Sequence, residues 1–167
     1  MWSSFAYNIG GLLFTLDEIE HGILRCNKGH PRDNKPMFES GDDPRKELVL
    51  TTFDPRIHFA LNCGANSCPP IRIYSSDKLD QQLNIASSSF CNQEVQVLEP
   101  GKRILLSKLL LWYRNDFGQS DNEVLEKLST YVSDEELKKE MSKVISNKDA
   151  ATEKIAFKDY NWTLNAK

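Results

Sequence analysis

The chain lacks any apolar run long enough to cross a membrane. The longest one inside a helical reading, Leu109 to Trp112, falls far short of the roughly 20 residues a span requires. Its first residues, Met-Trp-Ser-Ser-Phe-Ala-Tyr-Asn, have neither the charged start nor the apolar block of a secretory signal. The expectation is therefore a cytoplasmic location, with the four cysteines Cys26, Cys63, Cys68 and Cys91 reduced rather than bridged. A basic block is also missing. With 21 basic against 24 acidic residues and a net charge of −3, nothing marks a surface for phosphate backbones, so nucleic acid is not an expected partner. No internal repeat or low-complexity tract is present. What remains, 40% hydrophobic and 27% charged over 167 residues, is ordinary globular composition for one domain spanning residues 1–167.

Polar chemistry concentrates from Asp54 to Pro70, in Asp-Pro-Arg-Ile-His-Phe-Ala-Leu-Asn-Cys-Gly-Ala-Asn-Ser-Cys-Pro-Pro. Ile57 to Leu61 is apolar and β-prone apart from His58, which predicts a buried strand running into a structured loop. Upstream, Phe5–Ile9, Gly10-Gly11 and Leu12–Phe14 read as a tight hairpin. Thr15 with Glu18 makes a capping box for a short helix over Leu16–Leu24, and Cys26 to Arg45 reads as an extended loop and the most mobile region. Leu48 to Thr52 is weakly extended. Downstream come a short extended run at Ile71–Tyr74 and a helix from Asp77 to about Phe90, with Leu79, Leu83 and Ala86 inward. A second hairpin turns at Pro100-Gly101-Lys102. Helices follow after Ser107, over Asn122–Tyr131 and after a Ser133/Glu136 capping box, and a last strand lies at Ile155–Phe157. Without a regular βαβ alternation the class is α+β with a largely antiparallel sheet.

Ile19-Glu20-His21-Gly22-Ile23-Leu24-Arg25, the run from Asp54 to Pro70, Ser107 with Trp112-Tyr113 and Asp116-Phe117, and Tyr160-Asn161-Trp162-Thr163-Leu164-Asn165 lie in the order found in the family called domain of unknown function 547, which the chain resembles. The resemblance implies a widespread domain without an agreed activity and a suggested relationship to papain-like and transglutaminase-like folds. In those, Cys, His and Asp or Asn act together, and here the suggestion falls on His58. Family members carry a helical stretch upstream of the position of Phe5. The chain is accordingly expected to be the C-terminal portion of a larger domain, with any early nucleophile outside it.

A thiol hydrolase or acyltransferase needs a thiolate, a His to take its proton and an amide or carboxylate to orient that His. Cys68, His58 and Asn62 are the catalytic candidates. On a strand, His58 and Asn62 share one face and Cys63 takes the other, which leaves Cys68 as the nucleophile. Pro69 and Pro70 deny it a helix N-terminus. For His58 the competing role is a buried imidazole bonded to a carbonyl or carboxylate; for Cys63 it is a small buried hydrophobe. Arg56 and Arg72 flank the run and suit an anionic substrate or an anchoring carboxylate. His21, Cys26, His30 or His58 could complete four zinc ligands with Cys63 and Cys68, but such sites usually carry a second similar cysteine pair, which is absent, so neither metal nor cofactor is expected, while a Cys63–Cys68 disulfide is geometrically easy. Trp112-Tyr113 with Asp116-Phe117 reads as core packing rather than a binding platform, and Glu20 as a surface carboxylate near Arg25. The leading reading is a scaffold or interaction module, with an unidentified protein or peptide partner, around an incomplete site. The alternative is a papain-like thiol enzyme using Cys68 and His58.

Overall fold

The computed structural model describes residues 3–39, 41–148 and 153–165, and its contacts group into two compact units, Met1–Asp54 and Pro55–Lys167. Helices and short strands alternate without βαβ repeats, which makes the fold α+β.

In the first unit, β1 (Ala6–Ile9) and β2 (Leu12–Thr15) pair antiparallel with Ile9 opposite Leu12. Gly10 and Gly11 connect them at φ of 62° and 90°, the left-handed pair that a two-residue hairpin turn demands. Only Phe14 of this hairpin is buried, edge-on to Phe38 at 6.2 Å between ring centroids. The capping box forms as its spacing predicts. The Thr15 N–H donates to Glu18 Oε2 at 2.8 Å and the Glu18 N–H to Thr15 Oγ1 at 3.2 Å. The helix that follows is wound as a π-helix over Glu18–Leu24. It buries His21 and Gly22, and Gly22 is required there because a Cβ would stand 2.6 Å from the Phe38 ring. The following loop is stitched by Asn27, whose side chain accepts from the Met37 and Phe38 N–H groups and donates to the Phe38 carbonyl. A 3-10 turn over Pro44–Leu48, capped by Asp43, delivers Arg45 to Glu18 at 2.6 Å.

The second unit contains α1 (Leu79–Glu94), β3 (Gln96–Glu99), β4 (Arg103–Leu106), α2 (Leu109–Trp112), α3 (Asp121–Ser129), α4 (Glu135–Ser146) and β5 (Ile155–Phe157). The sheet order is β3-β4-β5. β3 and β4 form the expected antiparallel hairpin, whereas β5 joins β4 in parallel with Ile155 opposite Ile104, so the three-stranded sheet is mixed. Phe59, Phe90, Ile104, Leu106, Leu110, Leu125, Leu128, Met141 and Ile155 make one continuous core. The inward faces of α1 and α3 are as the 3.6-residue period indicates, except that Leu79 is exposed. α4 is capped by Asp134, which accepts from the Glu136 and Leu137 N–H groups, instead of by Ser133, whose hydroxyl receives Asn92 at 2.7 Å.

One expectation fails where it matters most. Ile57 to Leu61 is no strand: Pro55–Phe59 is a 3-10 helix, closed by the Ala60 and Leu61 N–H groups on the Ile57 carbonyl at 2.9 and 3.0 Å. Pro55 sets φ near −65° at the first helical position, and burial of Ile57, His58 and Phe59 together overrides the strand preference of the apolar run. Three consecutive residues of a 3-10 turn point in three directions, so the strand-based separation of His58 and Cys63 onto opposite faces does not apply. Among the described residues no helix is long and apolar enough to cross a membrane.

Candidate functional site

His58 is fixed by the 3-10 helix just described and Asp116 by a second one, Arg114–Asp116, which continues from the short α2. The two side chains meet with Nε2 and Oδ2 2.8 Å apart, the ring N–H donating to the carboxylate. Both are sealed, at 1% and 2% exposure. The imidazole stacks on Tyr113, centroids 3.9 Å apart and planes 25° from parallel, with Phe117 at 5.8 Å. Phe59, next along the chain, packs on Phe90, Phe117 and Tyr131. The pair is thus built into the aromatic wall of the core.

The loop from Asn62 to Pro70 has its own internal order. Asn62 Oδ1 accepts from the Gly64 N–H at 2.6 Å and its amide donates to the Pro69 carbonyl, while the Cys68 N–H reaches the Ala65 carbonyl at 3.0 Å. This folds Cys68 back on Cys63: the sulfurs stand 3.0 Å apart and the Cys63 N–H donates to Cys68 Sγ at 3.2 Å. The chain end then lies along the loop. Ala65 and Leu164 form an antiparallel bridge, the Asn66 N–H donates to the Thr163 carbonyl, the Asn165 N–H to the Gly64 carbonyl, and the Asn161 N–H to Ser67 Oγ. That pairing sets the Tyr160 hydroxyl 3.1 Å from Cys68 Sγ. Around Tyr160, Trp112 and Trp162 close an aromatic trio with centroid separations of 4.7, 4.6 and 5.5 Å. Trp162 is 67% and Trp112 37% exposed.

These contacts divide the two thiols chemically. Burial works against ionisation of Cys68, but hydrogen bonds from the Cys63 thiol, the Tyr160 hydroxyl and the Cys63 N–H overcome it and hold Cys68 below the ordinary thiol range. Burial pushes the Cys63 thiol up, and so does its bond to Cys68. Burial, followed by the bond to Cys68, raises the Tyr160 phenol as well. Cys91, inside α1, is pushed up to about 12 by burial.

The sequence candidates therefore separate into two groups. His58 pairs with Asp116, and Asn62 and Cys68 belong to the loop with Cys63 and Tyr160. Arg56 grips α1 through Asp80 at 2.8 Å and Asn84 at 2.6 Å, and Arg72 reaches Ser89 at 3.4 Å from the surface. Among the described residues no three or more His, Cys, Asp or Glu side chains gather as a metal site would require. Sequence reasoning missed Asp116 as the partner of His58 and Tyr160 as the partner of Cys68. The clustered aromatics of the Tyr160-Asn161-Trp162 segment were the one available hint of the second.

The family described as "Protein of unknown function, DUF547" matches residues 1–91, more than half of the chain, so the chain belongs to that family. No curated protein and no solved structure matches it.

Proposed function

We propose, from the premise of membership in the DUF547 family, that this chain is an interaction module in which His58–Asp116 is an internal brace and the loop from Asn62 to Pro70, with its aromatic neighbours, is the face offered to a protein or peptide partner. The observation that carries this reading is a contrast in exposure. The two groups best suited to proton transfer are 1% and 2% exposed, whereas Trp162 and Trp112 stand open at 67% and 37%. A general base must come within hydrogen-bond reach of the proton it takes, and an imidazole sealed from solvent is poorly placed to do so. Tyr and Trp supply much contact area at low conformational cost, which is why they anchor interfaces.

A second reading, a papain-like thiol hydrolase or acyltransferase using Cys68 and His58, is favoured by one observation: His58 has in Asp116 the orienting carboxylate that such a base needs. A peptide-display selection on the folded protein, repeated on a Trp112→Ala/Trp162→Ala variant of unchanged melting temperature, tests the first reading. Enriched peptides should be held by the parent and lost by the variant. Equal retention by both, or His58-dependent acyl transfer from an ester probe to Cys68, would overturn it.

A further inference from the structure

We propose that Cys63 and Cys68 form a redox-active dithiol that exchanges with low-molecular-weight disulfides and closes to an intramolecular disulfide across the turn between them. The sulfurs are already 3.0 Å apart, closer than the roughly 3.8 Å that two thiolates on one tetrahedral zinc adopt, so the pair is arranged for bonding to each other and not for sharing an ion. The turn holds this proximity without a covalent link. Gly64 sits at φ 87°, which a side-chain-bearing residue adopts only with strain, and the Asn62 side chain and Ala65 carbonyl fasten its two ends. Cys63 is exposed and Cys68 half-buried, so a small disulfide has a way in.

The order of events follows from the surroundings of each sulfur. Cys68 accepts hydrogen bonds from Tyr160 and from the Cys63 N–H, donors that favour its thiolate. Its proton passes to solvent, and the thiolate attacks one sulfur of RSSR. The S–S bond of the reagent breaks, RS⁻ departs and takes up a proton, and Cys68 is left as a mixed disulfide. Cys63 then loses its proton and attacks Cys68 Sγ, expelling the second RS⁻, which is protonated to RSH. Two protein thiols are oxidised by two electrons, and one RSSR is reduced to two RSH. Tyr160 loses its thiol partner, and because its ring packs between Trp112 and Trp162, the change is visible in tryptophan fluorescence.

The experiment is equilibration of the chain with mixtures of reduced and oxidised glutathione, followed by alkylation and peptide mapping, with fluorescence read in parallel. The wild type should yield a Cys63–Cys68 disulfide with a coincident fluorescence change. Cys63→Ser should accumulate glutathione on Cys68, and Cys68→Ser should react at least several-fold more slowly. Cys63→Ala, should Cys63→Ser unfold, tests the same step. The proposal is overturned if the wild type retains a stable glutathione adduct on Cys68 as the Cys63 variants do, or if no Cys63–Cys68 disulfide forms while glutathione oxidises other thiols. Neither result depends on partner binding, so this proposal and the interaction-module reading fail separately.

Discussion

Replacing His58 with Phe isolates the polar part of the brace. A phenyl ring retains the shape that stacks on Tyr113 at 3.9 Å and leans on Phe117, while the bond from Nε2 to Asp116 disappears. A carboxylate whose side chain is 2% exposed then loses that donor. A hydrogen bond to a buried charged group contributes about 1.5–3 kcal/mol, and that contribution is lost with the donor. At roughly 4 °C per kcal/mol for a unit of this size, the melting temperature should fall by roughly 6–12 °C. Removing the carboxylate as well, in His58→Phe/Asp116→Ala, should recover part of the loss, since no buried carboxylate then remains to be desolvated. The assay is a double-mutant cycle by urea unfolding. A His58→Phe loss below about 1 kcal/mol, or strict additivity of the two substitutions, would refute the brace, because residues in one buried network couple by about 0.5–3 kcal/mol.

Three further outcomes follow from other parts of the chain. Partial burial opposes ionisation of Glu18, but its bonds from Thr15 and Arg45 prevail and hold the carboxyl below the ordinary glutamate range. Its contribution is therefore complete above that range and lost as pH falls through the depressed value; Glu18→Gln should cost about 1 kcal/mol at neutral pH and flatten the acid limb of stability against pH, measured by chemical unfolding. Gly22→Ala forces a methyl to within 2.6 Å of the buried Phe38 ring and should destabilise by about 1–3 kcal/mol in the same assay. In native protein at pH 8, iodoacetamide should modify Cys68 well before Cys91, whose burial pushes it up to about 12, and mass mapping of a time course checks the order.

What could be read ahead of the structure was whatever neighbouring residues decide. The Gly10-Gly11 turn and the Thr15/Glu18 capping box are short-range arrangements, and both form as their spacing indicates. Helical faces with three or more apolar positions in register, such as Val124, Leu125 and Leu128, were equally legible. The run around His58 was not, because five residues, four of them apolar, fit a strand or a turn equally well and Pro55 tips the balance through its fixed φ. Ser133 lost the capping role to Asp134 through a distant competitor, Asn92. The site was legible only as residue types. His58 was singled out as the polar residue of an apolar run and is buried, but its partner lies 58 positions away and the partner of Cys68 lies 92 away, separations at which no periodicity carries a signal.

The most direct test of the central claim is the proton–nitrogen NMR correlation of the His58 ring at neutral pH. If His58–Asp116 is a sealed brace, the ring N–H bonded to Asp116 gives a resolved signal that exchanges slowly with water, survives in Cys68→Ala, and vanishes in His58→Phe. A ring proton that exchanges too fast to be seen, in protein that is otherwise fully folded, would place His58 in reach of solvent and contradict the account.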